Sequence, residues 1–409
     1  MNKPKVLYLH HAKDFSSNPV YLSDDFISAN KSLFGAQEMD SWAGYRILAR
    51  QFLTYRLQIS TNLSAVQLIL PNGESLDPID ICIPRSLNSK MNPRYIKTLM
   101  RYFDTSYALF SDYTFSTTLE SFVKEYSIDF VWSDTQFYLP AIPPRIRTLI
   151  RSVNFEPLHV LREDPSAFRF LRSFGKLYSE KKAVRERSLV AISPRDANSY
   201  KKLSNHRIEC IPLRQLGFLI EQSPSWERSS IQTNRPFFYF AGSNFDVKHN
   251  RDNLILLLDE VAPALAEIRP DALLLIFGHR LPRSVNLPPN VKYMHFCEDY
   301  FSLTKMALGS IVPHRGGAGM QSKIFEPLCL GIPLVANREA IAGYPFNSQE
   351  HFWNGDSPQE IVESIRAILE DRNCADTKAR EAQQVAQQLF LLESLKNQVM
   401  RNLFLNSTK

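Results

Sequence analysis

PHRGGAGMQSKIFEPLCLGIPLVAN, residues 313–337, joins a glycine cluster to a helical run and then to an apolar strand. The helical run extends from Gln321 to about Leu330, Gly331 ends it, and residues 333–336 are predicted to form the next strand. Glycines directly before a helix let backbone N–H groups approach a phosphate, and the helix N-terminus adds a partial positive charge. The stretch therefore predicts a loop–helix–strand unit of an α/β fold with an anion site at the start of its helix.

Lys323 and Glu326 lie three residues apart and share one face of the first turns of this predicted helix. A cation at that position suits a diphosphate, and a carboxylate can accept hydrogen bonds from sugar hydroxyls. The spacing leaves a second interpretation open, in which the stretch is an ordinary loop–helix–strand connection with a solvated Lys–Glu pair.

The C-terminal half repeats a strand–helix rhythm around this stretch. Strands are predicted at Phe237–Ala241, Ala272–Phe277, Val291–Phe296 and Gly309–Val312, and helices at Arg251–Ile268, Ser302–Leu308, Asp356–Leu369 and within Ala375–Phe404. Alternation of this kind implies a parallel sheet with helices on both faces.

The N-terminal half shows the same rhythm less regularly. Strands are predicted at Val6–Leu9, Phe130–Trp132, Thr148–Val153, Ser188–Ser193 and Ile208–Pro212, with weaker ones near Ala65–Leu70 and Ile79–Ile83. Helices are predicted at Ala43–Leu57, at one or two places within Arg94–Tyr126, at Phe168–Arg187 and at Asp196–Leu203.

The polar stretch EQSPSWERSSIQTNR, residues 221–235, has no hydrophobic period and is predicted to link two domains. An N-terminal domain is expected over residues 1–220 and a C-terminal one over residues 236–385. Residues 386–409 are expected to form a helix that packs back on the N-terminal domain. A length of 409 residues fits two or three domains.

Composition places the chain among ordinary globular proteins. It is 44% hydrophobic and 22% charged, and its net charge of +6 is mild. This charge suits small acidic substrates or an anionic membrane surface, and it does not indicate nucleic acid. No apolar run reaches the roughly 18 residues of a membrane span, and the N-terminus does not resemble a signal peptide.

The five cysteines are scattered through the chain without a CxxC pair or zinc-like spacing, which indicates buried thiols in a reducing compartment. We therefore expect a cytoplasmic protein, with peripheral contact at the inner face of a membrane as an open option. The basic helix at 168–187 is interpreted first as a solvated face, and contact with anionic lipid or polysaccharide is the alternative.

Polar residues follow two predicted strands of the N-terminal half. His10 and His11 begin the loop after the first strand, and Glu156 and His159 lie in the loop after strand 148–153. Loops at the carboxyl ends of parallel strands are where α/β folds bind ligands. A structural surface pair is the commoner role for two adjacent histidines, and polar residues with a structural role explain Glu156 and His159 as well as a ligand site does.

The stretch 313–337 resembles the donor-binding segment of retaining glycosyltransferases of the GT-B fold, family 4, many of which carry a pattern like RGxQxKxxEAMAxGxPVVA. The matching residues are Arg315, Gly317 or Gly319, Gln321, Lys323, Glu326, Gly331, Pro333 and Val335. Two departures are Pro327-Leu328-Cys329 in place of Ala-Met-Ala, and Ala318 where the two-glutamate form of the motif has its first Glu.

This resemblance implies two doubly wound Rossmann-like domains that face each other across a cleft. It places the nucleotide sugar on the C-terminal domain, with Lys323 and the backbone amides of 316–319 at the diphosphate and Glu326 at the ribose. The implied donor-binding residues are Gly242, Ser243, Lys248, Asn250, Arg280, Phe296, Cys297, Arg315, Gly316, Gly317, Ala318, Gly319, Met320, Gln321, Ser322, Lys323 and Glu326.

The implied catalytic residues are Lys323, Glu326, Glu156 and His159, and the implied acceptor-side residues are His10, His11, Glu156 and His159. No cofactor or metal is expected, because the chain has no Asp-x-Asp pair. The segment before Asn250 also lacks the GxGxxG pattern of a dinucleotide site.

The function predicted on this basis is retaining sugar transfer from a nucleotide-diphosphate sugar. The acceptor is a glycan, a lipid-linked glycan or a protein, as in surface polysaccharide synthesis. Two alternatives stay open at this stage: a nucleotide-sugar epimerase or hydrolase on the same fold, and a non-catalytic scaffold that only binds nucleotide.

Overall fold

The computed structural model describes residues 3–12, 36–60, 64–81, 93–111, 113–204, 208–222, 235–295, 300–313 and 319–391, together with Cys297, Leu395 and Asn397. The chain folds into two compact units, with the break between Gln215 and Leu216. Each unit has its own sheet and its own helices.

The first unit is built on a seven-stranded sheet in the order β4-β3-β2-β1-β5-β6-β7. The strands are β1 (Lys5–Ala12), β2 (Leu53–Ser60), β3 (Ala65–Ile69), β4 (Ile79–Asp80), β5 (Phe130–Ser133), β6 (Arg147–Ser152) and β7 (Ser188–Ala191). Strand β1 pairs in parallel with β2 and β5, whereas β3 and β4 are antiparallel additions at one edge.

The central strands are fully buried because their apolar runs meet helices on both faces. Residues Val6 to Leu9 of β1 are 0% exposed. The helices of this unit are α1 (Ala36–Gln51), α2 (Pro93–Tyr102), α3 (Thr105–Leu109), α4 (Tyr113–Glu125), α5 (Glu156–Glu163), α6 (Arg169–Glu186) and α7 (Pro194–Lys201), with a 3₁₀ turn at Gln136–Ala141.

A buried ionic cluster holds the chain just before the break between the two units. The Arg214 guanidinium donates to Asp134 at 2.7 Å and to Asp40 at 2.9 Å, and Arg151 donates to Asp40 at 2.7 Å. Burial alone would raise the pKa of Asp134, but Arg214 and Arg151 outweigh it and lower that pKa to about 2. A mutation that removes one partner would leave an uncompensated buried charge, which is strongly destabilising.

The second unit contains a six-stranded, wholly parallel sheet in the order β10-β9-β8-β11-β12-β13. Its strands are β8 (Phe237–Asn244), β9 (Leu273–His279), β10 (Val291–Met294), β11 (Gly309–Val312), β12 (Leu334–Ala336) and β13 (Trp353–Asn354). The chain places β9 and β10 on one side of β8 and then crosses to the other side, so the strand order reverses between β8 and β11.

The helices of the second unit are α8 (Gln215–Gln222), α9 (Lys248–Leu256), α10 (Ala262–Ile268), α11 (Tyr300–Thr304), α12 (Ser322–Leu330), α13 (Arg338–Ile341), α14 (Pro358–Glu370) and α15 (Arg372–Phe390), and a π-helical turn at Leu257–Val261 joins α9 to α10. Gly331 ends α12 in the left-handed conformation, at φ 67°. Within the described residues no helix is both long and apolar enough to cross a bilayer.

Two predicted elements are wrong. The helix predicted over Ala43–Leu57 ends at Gln51, and Leu53–Ser60 is strand β2. The sequence pattern places Arg56 with the polar residues of a helix, whereas its guanidinium is buried 4.5 Å from the centre of the Tyr45 ring. The strand predicted at Ile208–Pro212 is reduced to one isolated bridge between Ala191 and Cys210.

Parts of the predicted domain layout lie outside the described residues. These parts are residues 223–234 of the predicted linker and most of the predicted return helix beyond Leu391. Residues 386–390 belong to α15, where the Phe390 ring lies 5.8 Å from Phe325 of α12. The division of the chain into acceptor, donor and return segments stays a prediction.

Candidate functional site

The predicted donor residues of the second unit lie within the last residues of β8, where Gly242 and Ser243 belong to the strand and not to a loop, or after the ends of β8, β9, β10 and β11, at the carboxyl edge of the sheet. Open parallel sheets bind ligands at this edge, in the crevice where the strand order reverses. Here the reversal lies between β8 and β11. Residues from the loops after these two strands therefore define the centre of the candidate site.

Lys323 in the first turn of α12 is held by groups from two other elements. Its Nζ atom donates a hydrogen bond of 2.6 Å to Oδ1 of Asn250 on α9 and lies 5.5 Å from the centre of the Phe240 ring of β8. Because the ammonium group is already oriented, it can meet an anion with little loss of side-chain entropy.

Asn250 is itself fixed in place. It is 4% exposed, and its Nδ2 atom donates to the backbone oxygen of Asn244 at 3.0 Å. Its amide therefore joins the end of β8 to the first turn of α12. The sequence named both Asn250 and Lys323 as donor-binding residues, and the structure brings them into contact.

Gly242 allows the chain to bulge at the end of β8. The register with β9 shifts between Ala241 and Ser243, and a Cβ atom at Gly242 would lie 2.2 Å from the Phe245 ring. Only glycine fits this position without displacing the ring. Gly242 therefore shapes the loop after β8, and the side chain of Ser243 lies outside the described residues.

The N-terminus of α12 is not capped by a side chain from its preceding residue. Gln321 is the N-cap and makes no capping hydrogen bond, and Gly319 before it has φ +74°. The start of a helix attracts anions through its dipole, so this N-terminus can favour a phosphate. Met320 is buried and Ser322 begins the helix.

Glu326 lies one turn further along α12, beside an aromatic cluster that the sequence patterns did not predict. The rings of Tyr239, Phe277 and Tyr300 lie 5.0–6.4 Å apart in pairs. Burial raises the pKa of Tyr239 and of Tyr300, and the charge of Glu326 raises both further. Glu326 is therefore a half-buried carboxylate that lies beside these three packed aromatic rings.

Two further predicted cations lie in surface ion pairs. Arg280 follows β9 with φ 60° and pairs with Asp246 at 2.5 Å, and Lys248 pairs with Asp252 on α9. All four side chains are at least 39% exposed. Exposed pairs are weak, so either cation can exchange its carboxylate for a phosphate.

Several predicted donor residues lie outside the described residues, namely Phe296, Arg315, Gly316, Gly317 and Ala318. Their contacts stay predictions. Cys297 is described and is 6% exposed, so its thiol faces the protein interior.

Two histidines at the same edge were not found from sequence. The His279 and His295 rings lie 4.9 Å apart at the ends of β9 and β10, and both residues are exposed. Neither histidine belongs to a recognisable motif, so only the parallel pairing of β9 with β10 could have brought them together.

The first unit places His10 and His11 within β1 and not in a loop after it, which corrects the prediction. The strand continues to Ala12 because its backbone pairs with Gln58 to Ser60 of β2. His10 is 6% exposed and stacks on Tyr8 at 5.1 Å. The side chain of His11 lies outside the described residues.

Glu156 and His159 are also placed differently from the prediction. They lie on α5, which begins at Glu156 directly after the turn that follows β6, and not in a loop. Pro157 at the second helical position favours this early start. Burial raises the pKa of Glu156, while the nearby charges of Lys176 and His159 lower it.

A buried carboxyl group near Glu156, that of Glu180, was not found from sequence. Glu180 of α6 is 0% exposed, and it accepts hydrogen bonds from Gln136 at 2.9 Å and from the Tyr200 hydroxyl at 3.0 Å. Burial, followed by the charge of Glu156, raises the pKa of Glu180 to about 8. Burial therefore favours the protonated form of Glu180.

The described part of the chain holds no cluster suited to a metal ion. No group of three or more His, Cys, Asp or Glu side chains with metal-binding geometry occurs among the described residues. The absence of a metal requirement remains a prediction that only an activity measurement can decide.

Residues 235–371 match the family model of glycosyl transferases group 1. The matched segment begins at β8 and ends with α14, so it includes Lys323, Asn250 and Glu326. Comparison with curated proteins gives no significant match.

Solved structures share the fold over nearly the whole chain. Sucrose-phosphate synthase from Thermosynechococcus elongatus is 14% identical with a TM-score of 0.63, and the match covers 99% of this chain and 100% of that one. HepE from Anabaena in complex with UDP is 13% identical, with a TM-score of 0.56 and coverage of 98% and 99%. The α,α-trehalose 6-phosphate synthase from Burkholderia multivorans is 9% identical, with a TM-score of 0.61 and coverage of 98% and 96%.

These similarities confirm the predicted GT-B fold. Because the sequence identities are only 9–14%, the similarities establish the fold and not the activity. The family match to the second unit supports a glycosyltransferase.

Proposed function

We propose that the protein transfers a sugar from a nucleotide-diphosphate sugar to a glycan acceptor with retention of anomeric configuration. The observation that carries this proposal is the hydrogen bond of Lys323 to Asn250 at the reversal point of the second sheet. It holds a cation at the start of α12, where the dipole of the helix adds to its positive field.

The donor diphosphate binds at the N-terminus of α12 in this proposal. Negative charge develops on the leaving diphosphate during transfer, and Lys323 together with the helix amides stabilises it. Lys248 and Arg280 supply further positive charge at the exposed edge of the site, once the phosphate replaces their carboxylate partners. Neutralisation by protein cations makes a divalent metal unnecessary.

Glu326 accepts hydrogen bonds from the ribose hydroxyls of the nucleotide. Its half-buried position beside Tyr239 and Tyr300 strengthens these bonds, because the surroundings are less polar than water. UDP is the first nucleotide to test, because HepE, which shares the fold, is crystallised with it.

The acceptor binds to the first unit at the carboxyl edge of its sheet. Glu156 and His159 on α5 are the groups proposed to contact the acceptor hydroxyl, and burial raises the pKa of Glu156, which makes it a stronger proton acceptor than an exposed carboxylate. No protein nucleophile is assigned in this proposal, which leaves same-face attack by the acceptor as the route to retention.

Thermal unfolding with a panel of nucleoside diphosphates tests the proposal, since a ligand that binds the native state raises the melting temperature. UDP, ADP or GDP should stabilise the full chain, and the matching nucleoside should not. The corresponding nucleotide sugars are then incubated with and without glycan acceptors. Turnover without any acceptor would indicate a hydrolase or epimerase, and stabilisation without turnover would indicate a non-catalytic binding protein.

A further inference from the structure

Helix α6 of the first unit exposes four large apolar side chains to solvent. Phe170, Leu171 and Phe174 are 65%, 70% and 67% exposed, and Tyr178 is 45% exposed. Phe170, Phe174 and Tyr178 follow one another at intervals of four, so they form a stripe on one face. The buried face consists of Ser173, Gly175, Ser179, Glu180, Ala183 and Val184.

Helix α2 extends this stripe into a wider surface. Phe103, directly after α2, is 70% exposed and its ring lies 6.1 Å from the ring of Tyr178. Its backbone oxygen would lie 2.9 Å from a Cβ atom at Gly175, so glycine allows the two helices to approach closely. Met100 of α2 is 73% exposed beside it. We call this surface the aromatic–basic face; its apolar part consists of Met100, Phe103, Phe170, Leu171, Phe174 and Tyr178.

Positive charge surrounds these apolar side chains. Helix α6 contains six Lys or Arg residues and two glutamates, of which Glu180 is buried, and α2 contains three basic residues and no acidic one. Two carboxylates lie at the rim, where Asp164 pairs with Arg172 at 2.8 Å and Glu186 pairs with Arg101 at 2.7 Å. Arg169, Lys181 and Arg185 are exposed, so the face has a net positive charge.

We infer that the aromatic–basic face docks on the surface of an anionic lipid bilayer. A helix with aromatic residues on one face and Lys or Arg beside them lies in the plane of a membrane interface, with its rings among the upper acyl chains and its cations at the headgroups. The exposed rings protrude from the surface, and a lipid phase accepts protruding rings without needing a complementary shape.

A second copy of this chain fits the same face poorly. A twofold dimer brings the same patch of both copies together, so two rings of Lys and Arg side chains would meet. Such like-charge contact is destabilising, whereas an anionic surface complements the charge.

Vesicle flotation with the full-length protein tests this inference. The protein should float with vesicles of equal parts phosphatidylcholine and phosphatidylglycerol, much less with phosphatidylcholine alone, and less as salt increases. Phe170→Ser combined with Phe174→Ser should lower the affinity for the anionic vesicles at least about tenfold. Arg185→Glu combined with Lys181→Glu should lower it by a similar factor.

Matched controls come from the second unit. Ile255→Ser removes an apolar side chain that is 43% exposed on α9, and Arg366→Glu reverses an exposed charge on α14; neither should change flotation. Phe174→Trp provides an independent signal, because its emission should shift to the blue with anionic vesicles and not with neutral ones. Since all changed residues are exposed, the variants should keep the wild-type melting temperature.

Three results would overturn the inference. One is flotation that is equal for neutral and anionic vesicles and unaffected by the Phe170 and Phe174 changes. Another is the absence of any vesicle binding by the wild-type chain, which would indicate that the aromatic–basic face binds an acidic protein instead of a membrane. The third is a lipid-free dimer in sedimentation that Phe174→Ser makes monomeric, which would assign the face to a second copy.

Discussion

The Nζ atom of Lys323 lies 2.6 Å from Oδ1 of Asn250, although the two residues are 73 positions apart in the chain. This hydrogen bond joins α12 to α9 at the carboxyl edge of the second sheet, and Asn250 is held in turn by the backbone oxygen of Asn244. The cation is thus positioned by the fold before any ligand arrives, which is how a protein reduces the entropic cost of binding an anion.

Asn250→Ala should weaken UDP binding by about 1 kcal/mol, because Lys323 then loses the partner that orients it. The loss should be smaller than that from Lys323→Ala, and the double variant should bind about as well as Lys323→Ala alone. Isothermal titration of UDP into the four proteins gives the coupling energy directly. If the two losses simply add, the hydrogen bond does not prepare the site.

Glu326→Gln keeps the shape of the side chain and removes its charge. Affinity should fall by about 1.5–3 kcal/mol for UDP and much less for 2′,3′-dideoxy-UDP, which lacks the hydroxyls that donate to Glu326. Competition titrations with both nucleotides measure the two losses. Equal losses would show that Glu326 does not contact the ribose.

Glu180→Gln should make the free energy of unfolding less dependent on pH. The folded wild-type protein keeps the Glu180 proton up to pH about 8, whereas the unfolded chain releases it near pH 4.5. In that interval the folded state binds more protons, so this group contributes stability at low pH that is lost as pH rises. Glu180→Gln should therefore gain stability relative to wild type between these values.

Urea unfolding at several pH values measures this difference. Glu363→Gln, a change at an exposed position on α14, is the matched control and should follow the wild-type curve. A Glu180→Gln curve parallel to wild type over the whole range would contradict a protonated Glu180.

Glu156→Gln and His159→Ala should lower the turnover of sugar transfer at least about tenfold, while UDP affinity stays within about twofold of wild type. The reason is that both groups belong to the first unit and none of the proposed donor contacts does. Glu163→Gln on the same helix is the control. Loss of UDP affinity in either variant would place these residues in the donor site instead.

The sequence predicted the second unit well because its signals are local. Each signal acts within a few residues: the glycine cluster before the helix, the glycine at Gly331 that ends it, and the apolar run of Gly309–Val312. The structure confirms the strand at Gly309–Val312 and the helix that ends at Gly331. Asn250 and Lys323 were both named, but their contact depends on how β8 and β11 pair, which no local pattern contains.

The first unit was predicted less well, for two physical reasons. Arg56 is a charged residue buried in a strand, so the polar–apolar pattern around it indicated a helix face that does not exist. Glu180 is a carboxyl that burial keeps protonated, and it looks in sequence like any surface glutamate on a basic helix. Both are polar groups stabilised by tertiary contacts, which hydrophobic periodicity cannot detect.

Activity should survive a chelator, because Lys323 and the α12 amides neutralise the diphosphate in this account. Transfer is measured in EDTA and again after addition of manganese. A reaction that stops in EDTA and recovers with manganese would assign the neutralising charge to a metal ion.

The most direct test is the titration of UDP into the wild-type protein, Lys323→Ala and Lys248→Ala. Both variants remove one lysine from the same edge of the second sheet, but only Lys323 is oriented by Asn250. Lys323→Ala should lose about 1.5–3 kcal/mol, roughly a 10- to 150-fold rise in Kd, whereas Lys248→Ala should change it by about threefold or less. A Lys323→Ala protein that is folded and binds UDP as tightly as wild type would contradict the donor site proposed here.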